Sequence, residues 1–114
     1  MVQIVVHLNK NGCVSTMRMH GHAGYSSSEG NPACAAVTLL SRSVARLVAS
    51  RAGWTVEGST RGPGNLSLAI IRRPRGTDDW LRGVSEILLQ ALADIDEEYP
   101  GSISLRLEEM SNGT

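Results

Sequence analysis

The sequence contains no phenylalanine, and its only other aromatic residues are two tryptophans and two tyrosines. A folded core must therefore consist mostly of Val, Ile, Leu and Ala. Lysine occurs once, at Lys10, against ten arginines, and the eleven basic residues are balanced by eleven acidic ones. A net charge of zero argues against the basic surface that direct nucleic-acid binding requires.

Export signals and long apolar runs are also absent. Residues 1–9 alternate between apolar and polar positions and lack a charged start, so they do not resemble a secretory signal. No apolar run approaches the roughly 20 residues of a membrane helix. Two cysteines without an export signal indicate free thiols in a reducing compartment. We therefore expect a cytoplasmic protein that does not bind membranes.

A chain of 114 residues is expected to form one domain, over residues 1–110, with a disordered tail at 111–114. The pattern of elements predicts the order ββαββαβ. The expected fold class is α+β, with an antiparallel or mixed five-stranded sheet and both helices on one face.

The first two strands are predicted at residues 2–9 and 13–20, joined by a turn at Asn11-Gly12. Met17 and Met19 share the face expected to contact the core, whereas Val14, Thr16, Arg18 and His20 share the other face. His7 and Cys13 are interpreted as packed on the sheet. A second hairpin is predicted from residues 54–59 and 66–71, with its turn at 62–65, and a final strand contains Ile103, Leu105 and Leu107.

Both helices are predicted from apolar residues at helical spacing. The first has Asn31 as N-cap, Pro32 at its first position and an end at Ala52-Gly53. The second is capped by Thr77 or Asp78 and ends before Pro100-Gly101. Its predicted buried stripe is Leu81, Val84, Leu88, Ala91, Leu92 and Ile95; that of the first helix is Val37, Leu40, Val44, Leu47 and Val48. The arginine cluster of residues 72–75 is interpreted as a solvated turn, with a binding patch as the alternative.

The chemistry is expected at His22 and Cys34, which are twelve residues apart in the sequence. Cys34 follows the predicted helix start, where backbone N–H groups and the helix dipole favour a thiolate. His22 follows a strand, and the Gly/Ser loop between the two residues is long enough to bring them together. An imidazole beside a thiolate is the arrangement of a cysteine nucleophile with its base.

Two other interpretations of these residues are possible. Cys34 lies among alanines and can be a small buried residue without chemistry. His20, His22 and Cys34 together can form a metal site, although a fourth ligand is not apparent. The loop lacks the Gly-Lys-Ser/Thr ending of a phosphate-binding P-loop, and no cofactor is expected.

The residues Gly21-His22-Ala23-Gly24-Tyr25 and Cys34-Ala35-Ala36-Val37-Thr38, at this separation, resemble the ribosomal-processing cysteine proteases of the Prp (YsxB-like) family. The resemblance implies a cysteine endopeptidase that removes the N-terminal extension of a large-subunit ribosomal protein, and a homodimer. Cys34 is then the nucleophile and His22 the general base. The resemblance also implies a mobile substrate loop, which contains Gly21, Gly24, Tyr25, Ser26, Ser27, Ser28 and Gly30.

The chain departs from the family pattern at three places. Asn31 stands where the family has Asp, Pro32-Ala33 replace Ile-Val, and Thr38 replaces Ser but keeps a hydroxyl. Asn31 and Thr38 are expected to support the site. The alternative is a non-catalytic module that uses the loop of residues 21–31 to bind a peptide or to assist ribosome assembly.

Overall fold

The computed structural model describes residues 2–21, 32–60 and 65–109. The expected tail and most of the second hairpin turn lie outside these residues. The described elements occur in the order ββαββαβ, which confirms the predicted α+β class. They are β1 (Val2–Leu8), β2 (Val14–His20), α1 (Pro32–Ala49), β3 (Thr55–Thr60), β4 (Leu66–Arg72), α2 (Asp78–Glu98) and β5 (Ile103–Glu109).

The five strands form one mixed sheet in the order β3-β4-β2-β1-β5. The pairs β1–β2, β2–β4 and β3–β4 are antiparallel, whereas β5 runs parallel to β1. It follows that β4 runs parallel to β1 and to β5, and the long crossover connection that consecutive parallel strands need is supplied by α2, between β4 and β5. The sheet therefore has two edges, β3 and β5.

One face of the sheet carries the core. Met19 lies opposite Ile4, and Met17 lies opposite Leu68, and all four side chains are buried. On the other face Arg18 and His20 are exposed, as the alternation in β2 predicted. Both helices contact the sheet and each other, so the apolar face is the one that they cover.

Val14 is an exception to the predicted alternation, because it is buried instead of sharing the face of Arg18. The register passes from His7–Thr16 to Leu8–Val14, so Ser15 is the extra residue of a β-bulge. A bulge changes the face of the sheet toward which the residues before it point. The Val14 N–H donates to Ser85 Oγ at 2.8 Å, and that hydroxyl donates to the Leu81 carbonyl at 2.7 Å.

Replacing Ser85 with Ala should lower the free energy of unfolding by about 1–3 kcal/mol, because the buried Val14 N–H would lose its acceptor. Urea denaturation followed by circular dichroism measures this change. The matched control is Ser43→Ala on the exposed side of α1, which should change stability by less than about 0.5 kcal/mol. Equal effects of the two substitutions would show that the Val14–Ser85 bond does not stabilise the bulge.

The end of α1 differs from the prediction: the helix stops at Ala49 rather than at Ala52-Gly53. The chain turns early because Trp54 packs edge-on against Trp80, with ring centroids 5.3 Å apart. The Arg51 guanidinium lies 3.9 Å from the centroid of the Trp80 ring. Gly53, at φ +87°, adopts the left-handed backbone conformation that this turn requires.

The buried stripe of α1 also differs from the prediction at one position. Leu47 is 50% exposed, whereas Ser41 is 1% exposed and occupies the stripe. Among the described helices, α1 alone has the length and apolar composition of a membrane span. The buried members of its stripe belong to the same core as the sheet and α2: Ala33, Val37, Ser41, Val44 and Val48.

The arginine-rich turn of residues 72–75 contacts the start of α2 through a hydrogen bond and an ion pair. The sequence predicted a solvated turn there. Thr77, one of the two predicted candidates, is the N-cap residue. Arg73 donates to Thr77 Oγ1 at 2.9 Å and forms a 2.7 Å ion pair with Asp78. The hydrogen bond from Arg73 is the main cause that lowers the pKa of the Asp78 carboxyl.

The predicted stripe of α2 is confirmed, with Leu81, Val84, Leu88 and Leu92 buried and Ala91 and Ile95 half-buried.

Candidate active site

The fold brings the first turn of α1 to the end of the sheet where β2 terminates. Ser41 anchors α1 over β2, with its hydroxyl 3.6 Å from Met17 Sδ. A short turn joins α1 to β3, β3 is antiparallel to β4, and β4 is antiparallel to β2. It follows that α1 and β2 run in opposite directions. Cys34, in the first turn, therefore lies at the same end as Gly21, which follows β2.

Cys34 is the third residue of α1 and is half-buried, so its thiol lies at the border between the core and solvent. It packs against the core on one side. The first turn of α1 contains no acidic residue. No side-chain carboxylate within that turn therefore offsets the partial positive charge at the N-terminal end of the helix. Thr38 lies one turn further along the helix and is also half-buried.

The chain leaves β2 at Gly21, whose φ of +78° is in the left-handed region. A side chain at this position would be strained, because only glycine adopts this conformation readily. His20, the last residue of β2, is exposed. Several predicted site residues lie outside the described residues. They are the base His22, the supporting residue Asn31 and the rest of the loop, namely Gly24, Tyr25, Ser26, Ser27, Ser28 and Gly30.

Cys13, the other cysteine of the chain, is fully buried. Burial and the nearby Asp78 carboxylate raise the pKa of its thiol, which disfavours the thiolate that a nucleophile requires. Its Sγ donates to the Asp78 carbonyl at 3.4 Å. Cys13 precedes β2, whose seven residues span roughly 20 Å, so it lies at the end of the sheet opposite Gly21. The expectation that Cys13 is a packing residue is confirmed.

His7 lies on the open face of the sheet. Its Nδ1 is 2.9 Å from Thr16 Oγ1, and its Nε2 is 2.7 Å from a carboxylate oxygen of Glu108. These contacts join β2, β1 and β5, so His7 is a structural residue of the sheet. Residues 2–21, 32–60 and 65–109 contain no group of three His, Cys, Asp or Glu side chains that could hold a metal. The alternative site of His20, His22 and Cys34 includes an undescribed residue and stays untested.

A groove between α1 and the β3–β4 hairpin was not predicted from the sequence. It has a volume of about 220 Å³ and is lined by Ser41, Arg42, Ala45, Gly58, Leu66 and Leu68, with Ser59 and Ser67 beside them. The signal in the sequence was Gly58, since a glycine inside a strand often marks a close approach of another group.

The chain is similar to known proteins in its sequence family and in its fold. The family model of the cysteine protease Prp matches residues 1–104. No curated protein sequence matches the chain. The fold is similar to that of the essential ribosomal processing protease Prp from Staphylococcus aureus with a covalently linked product peptide. That structure has a TM-score of 0.76 and 18% identity, and the match covers 95% of this chain and 100% of that one.

Two further structures have the same fold. The S. aureus protease with a substrate peptide has a TM-score of 0.75 and 17% identity, and the match covers 95% of this chain and 100% of that chain. The protein SMU.848 from Streptococcus mutans has a TM-score of 0.74 and 19% identity, with 96% of both chains covered. The resemblance stated from the sequence motifs is confirmed by the family match. This chain belongs to the family of the cysteine protease Prp.

Proposed function

We propose that this protein is a processing protease that removes the N-terminal extension of a large-subunit ribosomal protein, with Cys34 as nucleophile and His22 as general base. The observation that carries the choice of nucleophile is the contrast between the two cysteines. A cysteine protease needs an accessible thiolate. Cys13 is buried, with the pKa of its thiol raised, whereas Cys34 is half-buried in the first turn of a helix.

In the proposed reaction, the Cys34 thiolate attacks the carbonyl carbon of the scissile peptide bond, and the carbonyl electrons move to the oxygen. The backbone N–H of Cys34 lies in the first turn of α1, where N–H groups have no acceptor within the helix. It is therefore our candidate donor to this oxyanion. Such a donor stabilises the tetrahedral intermediate more than the neutral carbonyl.

His22 takes the thiol proton before the attack and gives it to the leaving amine when the C–N bond breaks. The product is a thioester between Cys34 and the new carboxyl end of the extension. A water molecule, deprotonated by His22, attacks the thioester and releases free Cys34. The family motif assigns this role to His22, which follows Gly21 in the sequence.

The supporting residues and the assembly belong to the same proposal. Thr38 places a hydroxyl one turn from Cys34 on α1, and Asn31 stands where the family has a carboxylate. The loop of residues 21–31 holds the substrate in an extended form. The assembly is a homodimer located in the cytoplasm, and it requires no cofactor. The S. aureus relative, which has been solved with a substrate peptide, supports a peptide substrate for this fold.

The proposed function predicts that the protein shortens one large-subunit ribosomal protein of its host. The purified enzyme is incubated with that ribosomal protein carrying its complete N-terminal segment, and intact mass spectrometry follows the mass. We expect the loss of one N-terminal segment. The same ribosomal protein without this segment is the control and should keep its mass. Stable binding of the uncut protein without cleavage would instead indicate a peptide-binding module.

A further inference from the structure

We infer that the groove between α1 and the β3–β4 hairpin is a subsite for an apolar side chain of the peptide substrate, and that Gly58 sets the size of the side chain accepted. This inference rests on the proposed peptidase function of Cys34. Three observations support it: the residues that line the groove, the pairing register of the edge strand β3 with β4, and the position of the groove along α1.

The groove exists because the facing positions carry small side chains or none. Gly58 lies opposite Leu68, whose side chain points toward the helices, so a side chain at position 58 would share that face. Ser41 and Ala45 are the corresponding small residues of α1. Glycine therefore leaves open the space between the helix and the edge strand that a larger residue would fill.

The chemistry of the lining favours an apolar occupant. Leu66 and Leu68 are buried and line the groove from the sheet, and Ala45 lines it from α1. Ser41 donates its hydroxyl to a methionine sulfur and is nearly inaccessible. A volume of about 220 Å³ is below the roughly 300–1,000 Å³ of pockets that hold whole small-molecule ligands. The groove is thus suited to one side chain.

The position of the groove links it to the cleavage site. Cys34, Ser41 and Ala45 are separated by seven and four residues, so they lie on one side of α1. At a rise of 1.5 Å per residue, Ser41 and Ala45 are about 10 and 16 Å from Cys34 along the helix. An extended peptide advances about 3.3 Å per residue. The side chain in the groove should therefore belong to a residue three to five positions from the scissile bond.

The test uses Gly58→Val, which fills the groove. The glycine has ordinary strand φ, and an added Cβ would meet only the Ser67 carbonyl oxygen, at 3.4 Å, within van der Waals contact. Gly83→Val is the matched control, because its added Cβ would have no neighbour within 4 Å. Ala45→Leu fills the groove from the helix side and replaces Gly58→Val if that variant fails to fold, as judged by circular dichroism.

The substrates are quenched fluorescent peptides that share one cleavable sequence and carry Ala, Leu or Phe at single positions. We expect the wild type and Gly83→Val to prefer Leu or Phe at one position three to five residues from the cleaved bond. Gly58→Val should lose about tenfold or more in kcat/KM for that peptide, in the range of a misfit in a hydrophobic pocket. It should cleave the Ala peptide within threefold of the wild type. An unchanged preference in Gly58→Val would overturn the inference while leaving the protease function intact.

A binding measurement separates this inference from the proposed function. The ligand is a fluorescein-labelled peptide of the first twenty residues of the host ribosomal protein, and the protein carries Cys34→Ala. If the enzyme cleaves no peptide, but Gly58→Val weakens binding of this peptide tenfold or more and Gly83→Val does not, then the subsite stands and the peptidase proposal fails. Equal binding by both variants overturns the subsite.

Discussion

Replacing Cys34 with Ala should abolish peptide cleavage while the protein remains folded. The Cys34 thiolate is proposed to form the covalent bond to the substrate, and the other thiol of the chain, Cys13, is fully buried. Loss of a catalytic nucleophile costs many orders of magnitude in protease turnover, and we expect at least about 10⁴-fold in kcat. Cleavage of the ribosomal protein segment is measured by mass spectrometry, and thermal unfolding by circular dichroism verifies the fold.

Cys13→Ala is the matched control, because it removes the same thiol group from the other cysteine. It should lower thermal stability, since Cys13 is fully buried and its Sγ contacts the Asp78 carbonyl. Activity per folded molecule should stay within about twofold of the wild type, because Cys13 is at the opposite end of the sheet. Cleavage that survives Cys34→Ala but disappears in Cys13→Ala would contradict the assignment of the nucleophile.

Most of the fold could be predicted because its elements carry strong local patterns. The alternation in β2 identified Met17 and Met19 as core residues, and helical spacing identified the buried leucines of α2. These patterns record which side of each element faces the core. The element order then limited the architecture, and the parallel pairing of β5 with β1 follows from the crossover that α2 provides.

The errors lie where tertiary contacts override a local pattern. Val14 is buried because a bulge at Ser15 reverses the alternation, and a bulge has no marker in this strand. Leu47 is exposed, while Ser41 is accepted in the core beside Met17. The early end of α1 depends on Trp54 reaching Trp80, a partner distant in the sequence. None of these contacts is encoded in the residues next to the affected position.

For the candidate site, the sequence and the structure supply different information. The motif specified the residue types and the family, which the family match confirms. It did not specify that the first turn of α1 and the end of β2 meet at one end of the sheet. It also did not identify the groove at Gly58, because the groove depends on strand register and on the distance between a helix and an edge strand.

Replacing His22 with Ala should reduce kcat by about 10²–10⁴-fold, the range for loss of a general acid–base group. It should also slow the alkylation of Cys34 by iodoacetamide near neutral pH, because the imidazolium no longer stabilises the thiolate. Alkylation is followed by mass spectrometry between pH 5 and 10 in Cys13→Ala protein, so that one thiol reacts. In the Cys13→Ala parent, with His22 intact, the alkylation rate should reach its plateau at a lower pH than in the same protein carrying His22→Ala.

The matched control for His22 is His20→Ala, which removes an exposed imidazole two residues earlier. It should leave both cleavage and the pH dependence of alkylation unchanged. If His22→Ala and the parent give the same alkylation profile, then His22 does not stabilise the thiolate.

Asn31→Asp extends the test, because it restores the carboxylate of the family motif. If Asn31 orients His22, the carboxylate should further stabilise the imidazolium, so Asn31→Asp should leave the plateau in the parent at a lower pH than its effect in the His22→Ala background predicts, where only direct repulsion of the thiolate acts. If Asn31 acts only as the helix cap, Asp is an equally good cap, and in the His22→Ala background the substitution should shift the profile by the same amount as in the parent.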